Sequence, residues 1–162
     1  QALEPWLDEA LCTYSEYLYL AEYHPEAIPW WQQVRVDFYQ PEGPVDGSIY
    51  DYSGYIPYRN GVYLRGAKFL ADLRERVGDD AFFGTLSDLV QHYGQADLLT
   101  SDAFFNTLAE RSTADIQDLV AEYFTGAPRH SSNRARDFVV RRVHNYRVRA
   151  QSNNKSESAQ KK

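Results

Sequence analysis

Apolar side chains recur at spacings of three and four through the first stretch of the chain. Leu3, Leu7, Leu11, Tyr14 and Leu18 draw one stripe, the period of an amphipathic helix running from Ala2 to about Tyr23. His24-Pro25 predicts its end, because proline disfavours a helical residue before it and has no N–H for the preceding turn. A second helix is predicted from about Pro25 to Phe38, with proline in its opening turn and again at Pro29. Over residues 39–60 the period disappears. Pro41, Gly43, Pro44, Asp46, Gly47 and Ser48 supply turn chemistry, and tyrosines gather at positions 50, 52, 55, 58 and 63. A long irregular segment inside a compact domain is more often functional than idle.

Helical spacing returns at Gly61. Val62, Phe69, Leu73 and Val77 mark one helix, with Gly78 placed to close it. Asp79 stands where a cap for the next helix belongs, and Phe82, Phe83, Leu86, Leu89, Val90 and Tyr93 continue it towards Gly94. Thr100 or Ser101 opens a shorter helix with Phe104, Phe105 and Leu108. Ser112 or Thr113 opens the last, with Ile116, Leu119, Val120, Tyr123 and Phe124, stopped by Gly126 and Pro128. Capped helices joined by short connections read as an all-α bundle. Phe138–Val143 fits either a strand or a short helix.

Composition narrows the picture. The 162 residues are 43% apolar, enough for one domain with a core and too apolar for a disordered chain. No apolar run reaches the roughly 18 residues that cross a bilayer. One cysteine, Cys12, excludes an internal disulfide framework. The chain has no methionine and opens on no signal peptide, which reads as a processed product or a piece of something longer. Its charge is divided: residues 1–129 carry 8 basic and 21 acidic side chains, residues 130–162 carry 9 and 2. The acidic body argues against nucleic acid as its partner. Residues 127–162 are expected to form a basic, partly disordered tail, rich in Ser, Asn, Lys and Gln at its end. A contact of that tail with RNA, an anionic membrane or an acidic neighbour stays open.

The first helix has a second face. At about 100° per residue, Glu9 and Glu16 fall within about 20° of each other, with Cys12 and Thr13 between them. The pair lies opposite the Leu3/Leu7/Leu11 stripe. Geometry alone makes this an ordinary solvated face.

The residues around it add more. Pro5-Trp6-Leu7-Asp8-Glu9-Ala10 with Tyr14, Glu16 and Tyr17 resembles the W-L-N-E-G-x-A-x-Y-x-E-Y segment of the M1 family of zinc aminopeptidases. Tyr58-Arg59-Asn60-Gly61-Val62-Tyr63-Leu64-Arg65-Gly66-Ala67 resembles the family's Y-x-x-x-x-Y-x-K-G-A segment. Gly78–Phe83 and Thr100–Phe104 are similar to its later helix starts. The resemblance covers about residues 3–126 in the family's order. It implies a helical subdomain over residues 1–126, like the C-terminal subdomain of a thermolysin-like catalytic domain.

The resemblance also implies roles. Glu9 stands at the glutamate that ligates zinc, Tyr63 at the tyrosine that hydrogen-bonds the tetrahedral intermediate, and Tyr58 at a second tyrosine lining that site. A His₂Glu set leaves zinc an open position for a water that the metal acidifies. Three differences stand against the pattern. Asp8 and Ala10 replace Asn and Gly, and Arg65 replaces Lys, keeping the charge but not the shape. The H-E-x-x-H pair is absent: His24, His92, His130 and His144 stand singly. The expectation is therefore one zinc ligand of three, with zinc bound by the longer protein and not tightly by this chain alone. Its partners would be a peptide substrate and the N-terminal part of the same catalytic domain, with the Glu9/Cys12/Glu16 face a candidate dimer surface. The alternative is a non-catalytic scaffold of the same type that binds partners through its tyrosine-rich surface.

Overall fold

The computed structural model describes residues 2–93 and 99–124, and all regular structure among them is helical. Six helices follow in order. α1 is Trp6–Tyr23. α2 spans 25–39 and changes winding three times, from a 3₁₀ turn through one α turn and a π stretch (Trp31–Val36) to a second 3₁₀ turn. α3 spans 55–77 as an α turn, a π stretch (Arg59–Arg65) and a regular α-helix (Gly66–Val77). α4 is Asp79–His92, α5 is Ser101–Arg111 and α6 is Gln117–Tyr123. α1 packs along α3, α4 packs against both α3 and α5, and α6 closes on α3. No helix among them is long and apolar enough to cross a membrane.

The core is aromatic. Trp6 is fully buried and meets Phe69, Phe104 and Phe124 edge-on, with ring centroids 5.8, 5.2 and 5.1 Å away. These are the offsets that ring quadrupoles favour. Its indole N–H donates to Ser101 Oγ at 3.0 Å, tying the start of α1 to the start of α5 across 95 residues. Thr100 caps α5 as the sequence predicts, accepting from the Ala103 N–H.

Several expectations are corrected. The buried face of α1 is Trp6, Leu7, Ala10, Thr13 and Tyr14, turned about 60° from the leucine stripe at 100° per residue. Leu3 lies before the helix and is 72% exposed. The aromatic core draws Trp6 inward and turns the helix with it. The irregular segment is 40–54 and not 39–60, because α3 begins at Tyr55. Pro57 is tolerated in its first turn, where an N–H has no helical acceptor. Asp79 makes no cap bond; its carboxylate instead takes the Arg74 guanidinium at 2.7 and 2.8 Å. The last helix starts at Gln117 rather than near Ser112, which closes α5 in extended conformation. The stops at Gly94, Gly126 and Pro128, the Phe138–Val143 run, His130, His144 and the basic tail lie outside the described residues.

Glycines set the spacing between elements. A Cβ on Gly66 would stand 2.6 Å from the Cβ of Ala10, so α1 and α3 meet at a contact only glycine permits on the α3 side. A Cβ on Gly61 would run into the Pro44 carbonyl oxygen, which brings the 40–54 segment against the π stretch. Arg65 then staples that segment to α6, donating to Gly43 O at 2.7 Å and Glu122 O at 3.0 Å. A lysine has no fork to reach both carbonyls.

Candidate functional site

The close approach of α1 and α3 at Ala10/Gly66 brings the preceding residue, Glu9, to the π stretch. Glu9 is half-buried at the flank of α1. The Tyr58 hydroxyl faces its Oε1 at 3.4 Å, long for a hydrogen bond. Tyr63 lies near enough for the same carboxylate to raise its phenol. The Tyr58 and Tyr63 rings meet edge to face with centroids 5.5 Å apart.

Winding explains why two tyrosines five residues apart share a face. In an α-helix they would point about 140° apart. In the π stretch bonds run from residue i to i+5, as from the Gly66 N–H to Gly61 O, which sets residues five apart one turn above each other. π turns of this kind are frequent at functional sites. α2 repeats the device: Trp31 and Val36, also five apart, are both buried.

The electrostatics follow from burial beside a carboxylate. Tyr58 is held above the ordinary phenol range by burial, with the Glu9 charge second. Tyr63 is pushed far above it by burial, then by the Glu9 carboxylate as hydrogen-bond partner and as charge, with Tyr58 adding to the rise. Both effects disfavour the phenolate. The pair therefore stays protonated beside the Glu9 carboxylate.

The structure brings Glu9, Tyr58 and Tyr63 together, and it does not leave the rest of the acidic face free. Thr13 is buried and its hydroxyl donates to the Glu9 carbonyl at 2.8 Å. Glu16 accepts from the Trp31 indole at 3.0 Å and from Arg35 at 3.1 and 3.0 Å. The face expected to look outward is thus partly covered by α2 and α3, with Thr13 buried, Glu9 half-buried and Glu16 and Cys12 exposed, since the turn of α1 moves it from opposite the core to the core's edge. Cys12 is exposed beside it, its thiol raised by partial burial and then by Asp8, Glu9 and Glu16.

Zinc is the group the resemblance implies, and the donor set fits it only in part. Glu9 is one carboxylate, and protonated phenols are poor ligands for Zn²⁺. His24 closes the far end of α1, about 22 Å along the axis from Glu9 at 1.5 Å per residue. Among the described residues no three His, Cys, Asp or Glu side chains converge. These residues alone do not make up a zinc site.

Sequence reading placed Tyr52 only within the tyrosine cluster and not behind this pair, and it missed the two glycines that set its depth. The signal was present in part: Gly61 and Gly66 interrupt a helical pattern, which marks close backbone approach. The chain matches no family model, no curated protein and no solved structure, so the chemistry of this centre is read from its own residues: one half-buried carboxylate with two phenol donors turned towards it.

Proposed function

We propose that the chain carries the helical part of a zinc metallopeptidase catalytic domain of the M1 type, acting on peptides. In this reading Glu9 supplies the carboxylate of a His₂Glu set whose two imidazoles lie on an H-E-x-x-H helix outside the 162 residues. The metal's contribution would be an acidified water. The chain's own contribution is the pair of phenols. Tyr63, held protonated by burial and by its carboxylate neighbour, is a hydrogen-bond donor whose proton is retained at neutral pH. Such a donor stabilises a developing oxyanion more than the neutral carbonyl before it. Tyr58 backs it as wall and second donor.

The observation that supports the reading is the convergence of Tyr58 and Tyr63 on Glu9 across 49 and more residues of sequence. The test is the reading frame upstream of the Gln1 codon, followed by kinetics on the longer protein. An H-E-x-x-H whose second histidine precedes Glu9 by about nineteen residues is the expected result. Tyr63→Phe should then lower kcat by about 10²-fold, the scale of one oxyanion donor, with little change in KM. A continuous frame without the motif, or an unchanged kcat, would overturn the reading. The first of these outcomes would favour a non-catalytic scaffold.

A further inference from the structure

The 40–54 segment carries one side chain tied to both ends of the candidate site. The Tyr52 hydroxyl donates to the Pro44 carbonyl oxygen at 2.6 Å, folding the segment back on itself. Its ring lies where side chains of Gly47 and Gly61 would otherwise stand: a Cβ at 47 would come within 2.8 Å of ring carbons, and one at 61 within 3.2 Å. Two glycines on different elements thus form a slot for one ring. The far edge of that ring meets Tyr58 at 5.5 Å and 68°, and Tyr58 meets Tyr63 at 5.5 Å and 81°. Three tyrosines stack edge to face in series, and the last two end on Glu9.

The geometry points to Tyr52 as the positioning residue of this site: seated between Gly47 and Gly61, its ring fixes the Tyr58 ring and through it the approach of Tyr63 to Glu9. Tyr58 and Tyr63 are both only partly buried, so solvent would otherwise leave their rings free to swing. A ring wall on one side removes that freedom, which is how supporting residues hold a site to within a fraction of an ångström. The Tyr52 hydroxyl is committed to the Pro44 carbonyl, so Tyr52 acts on the site through its ring contact with Tyr58. The inference rests on reading Glu9, Tyr58 and Tyr63 as one site.

The test is ring-to-ring nuclear Overhauser spectroscopy on the tyrosine- and phenylalanine-labelled 162-residue chain. Wild type should show Tyr52–Tyr58 and Tyr58–Tyr63 cross peaks. Tyr52→Leu should lose the Tyr58–Tyr63 peak while the core pair Phe69–Tyr123, with centroids 5.6 Å apart, keeps its own. Tyr52→Phe, which retains the ring in its glycine slot, should keep the Tyr58–Tyr63 peak. The inference is overturned by a wild-type chain without the Tyr52–Tyr58 peak, an arm that needs no variant to fold. It is equally overturned if the Tyr58–Tyr63 peak survives in Tyr52→Leu, if Tyr52→Phe loses it, or if Phe69–Tyr123 is lost with it. Because the readout is geometry and not turnover, its failure leaves the peptidase reading to its own test.

Discussion

Replacing Gly66 by alanine sets two effects of known sign against each other. Alanine is favoured over glycine in a helix interior by about 1 kcal/mol, so on propensity alone Gly66→Ala stabilises α3. Its new methyl, however, would stand 2.6 Å from the Ala10 Cβ and 3.6 Å from Val45 Cγ1. Ordinary carbon contacts are about 3.5–4.0 Å. The shortfall against Ala10 is therefore about 1 Å, and neither Cβ has a rotamer through which to escape. Ala10 and Val45 are fully buried, so α1 must move away from α3. Overpacking of this kind costs about 1–3 kcal/mol, and the rigidity of both partners puts it at the upper end. The net expectation is a loss of about 2 kcal/mol, which moves a urea midpoint down by about 1 M for a small domain. Ala10→Gly alone should also cost about 2 kcal/mol, from helix propensity and one buried methyl. The double variant exchanges the methyl across the contact and should return to within about 1 kcal/mol of wild type, a coupling that only touching residues show. Urea unfolding followed by far-ultraviolet circular dichroism measures all four corners. A higher midpoint for Gly66→Ala, or a double variant that loses the sum of the single losses, would refute the close contact. It would also undermine the site, since Glu9 precedes Ala10 and moves with it.

Two further predictions concern the ties between helices. Ser101→Ala leaves the buried Trp6 indole N–H without an acceptor and should destabilise the chain by about 1–3 kcal/mol, whereas Ser53→Ala, at an exposed position, should be within about 0.5 kcal/mol of wild type; equal effects would count against the Trp6–Ser101 bond. Asp118, held by the Arg76 guanidinium at 2.8 and 2.9 Å, has its carboxyl lowered from 3.8 to about 2, with the Arg76 hydrogen bond as the first cause. A depressed folded value means that the tie's contribution is complete above about pH 4 and is lost as pH falls from there through 2. In acid titrations Asp118→Asn should flatten that part of the stability curve, and an unchanged slope would show that the pair contributes nothing.

Much of the chain was legible because its local signals and its packing agree. Thr100 caps α5 where a hydroxyl before an apolar run says it should, and Phe69, Leu73, Phe82 and Leu89 are buried at the spacings that mark them, whereas Phe83, Val90 and Tyr93 of the predicted α4 stripe are exposed. The site was legible only as sequence: the W-L-D-E-A and Y-x-x-x-x-Y segments named Glu9, Tyr58 and Tyr63 without showing how they could meet. On ideal α geometry the two tyrosines diverge and Glu9 faces away from the core.

The order of helices, their apolar content and the candidate residues are therefore properties of the sequence, since each depends on neighbours within a few positions. Three matters belonged to the tertiary structure alone. The turn of α1 was decided by Trp6 entering an aromatic cluster assembled from α3, α5 and the end of α6. The π winding of residues 59–65 was decided by packing against α1 and the 40–54 segment, because one extra residue per turn costs hydrogen-bond geometry that only such contacts offset. The placement of Tyr52 between Gly47 and Gly61 was decided by an approach of two elements that no local period encodes. Side chains distant in sequence meet only when the backbone between them has been fixed, and the tyrosine pair came to lie beside Glu9 at that step.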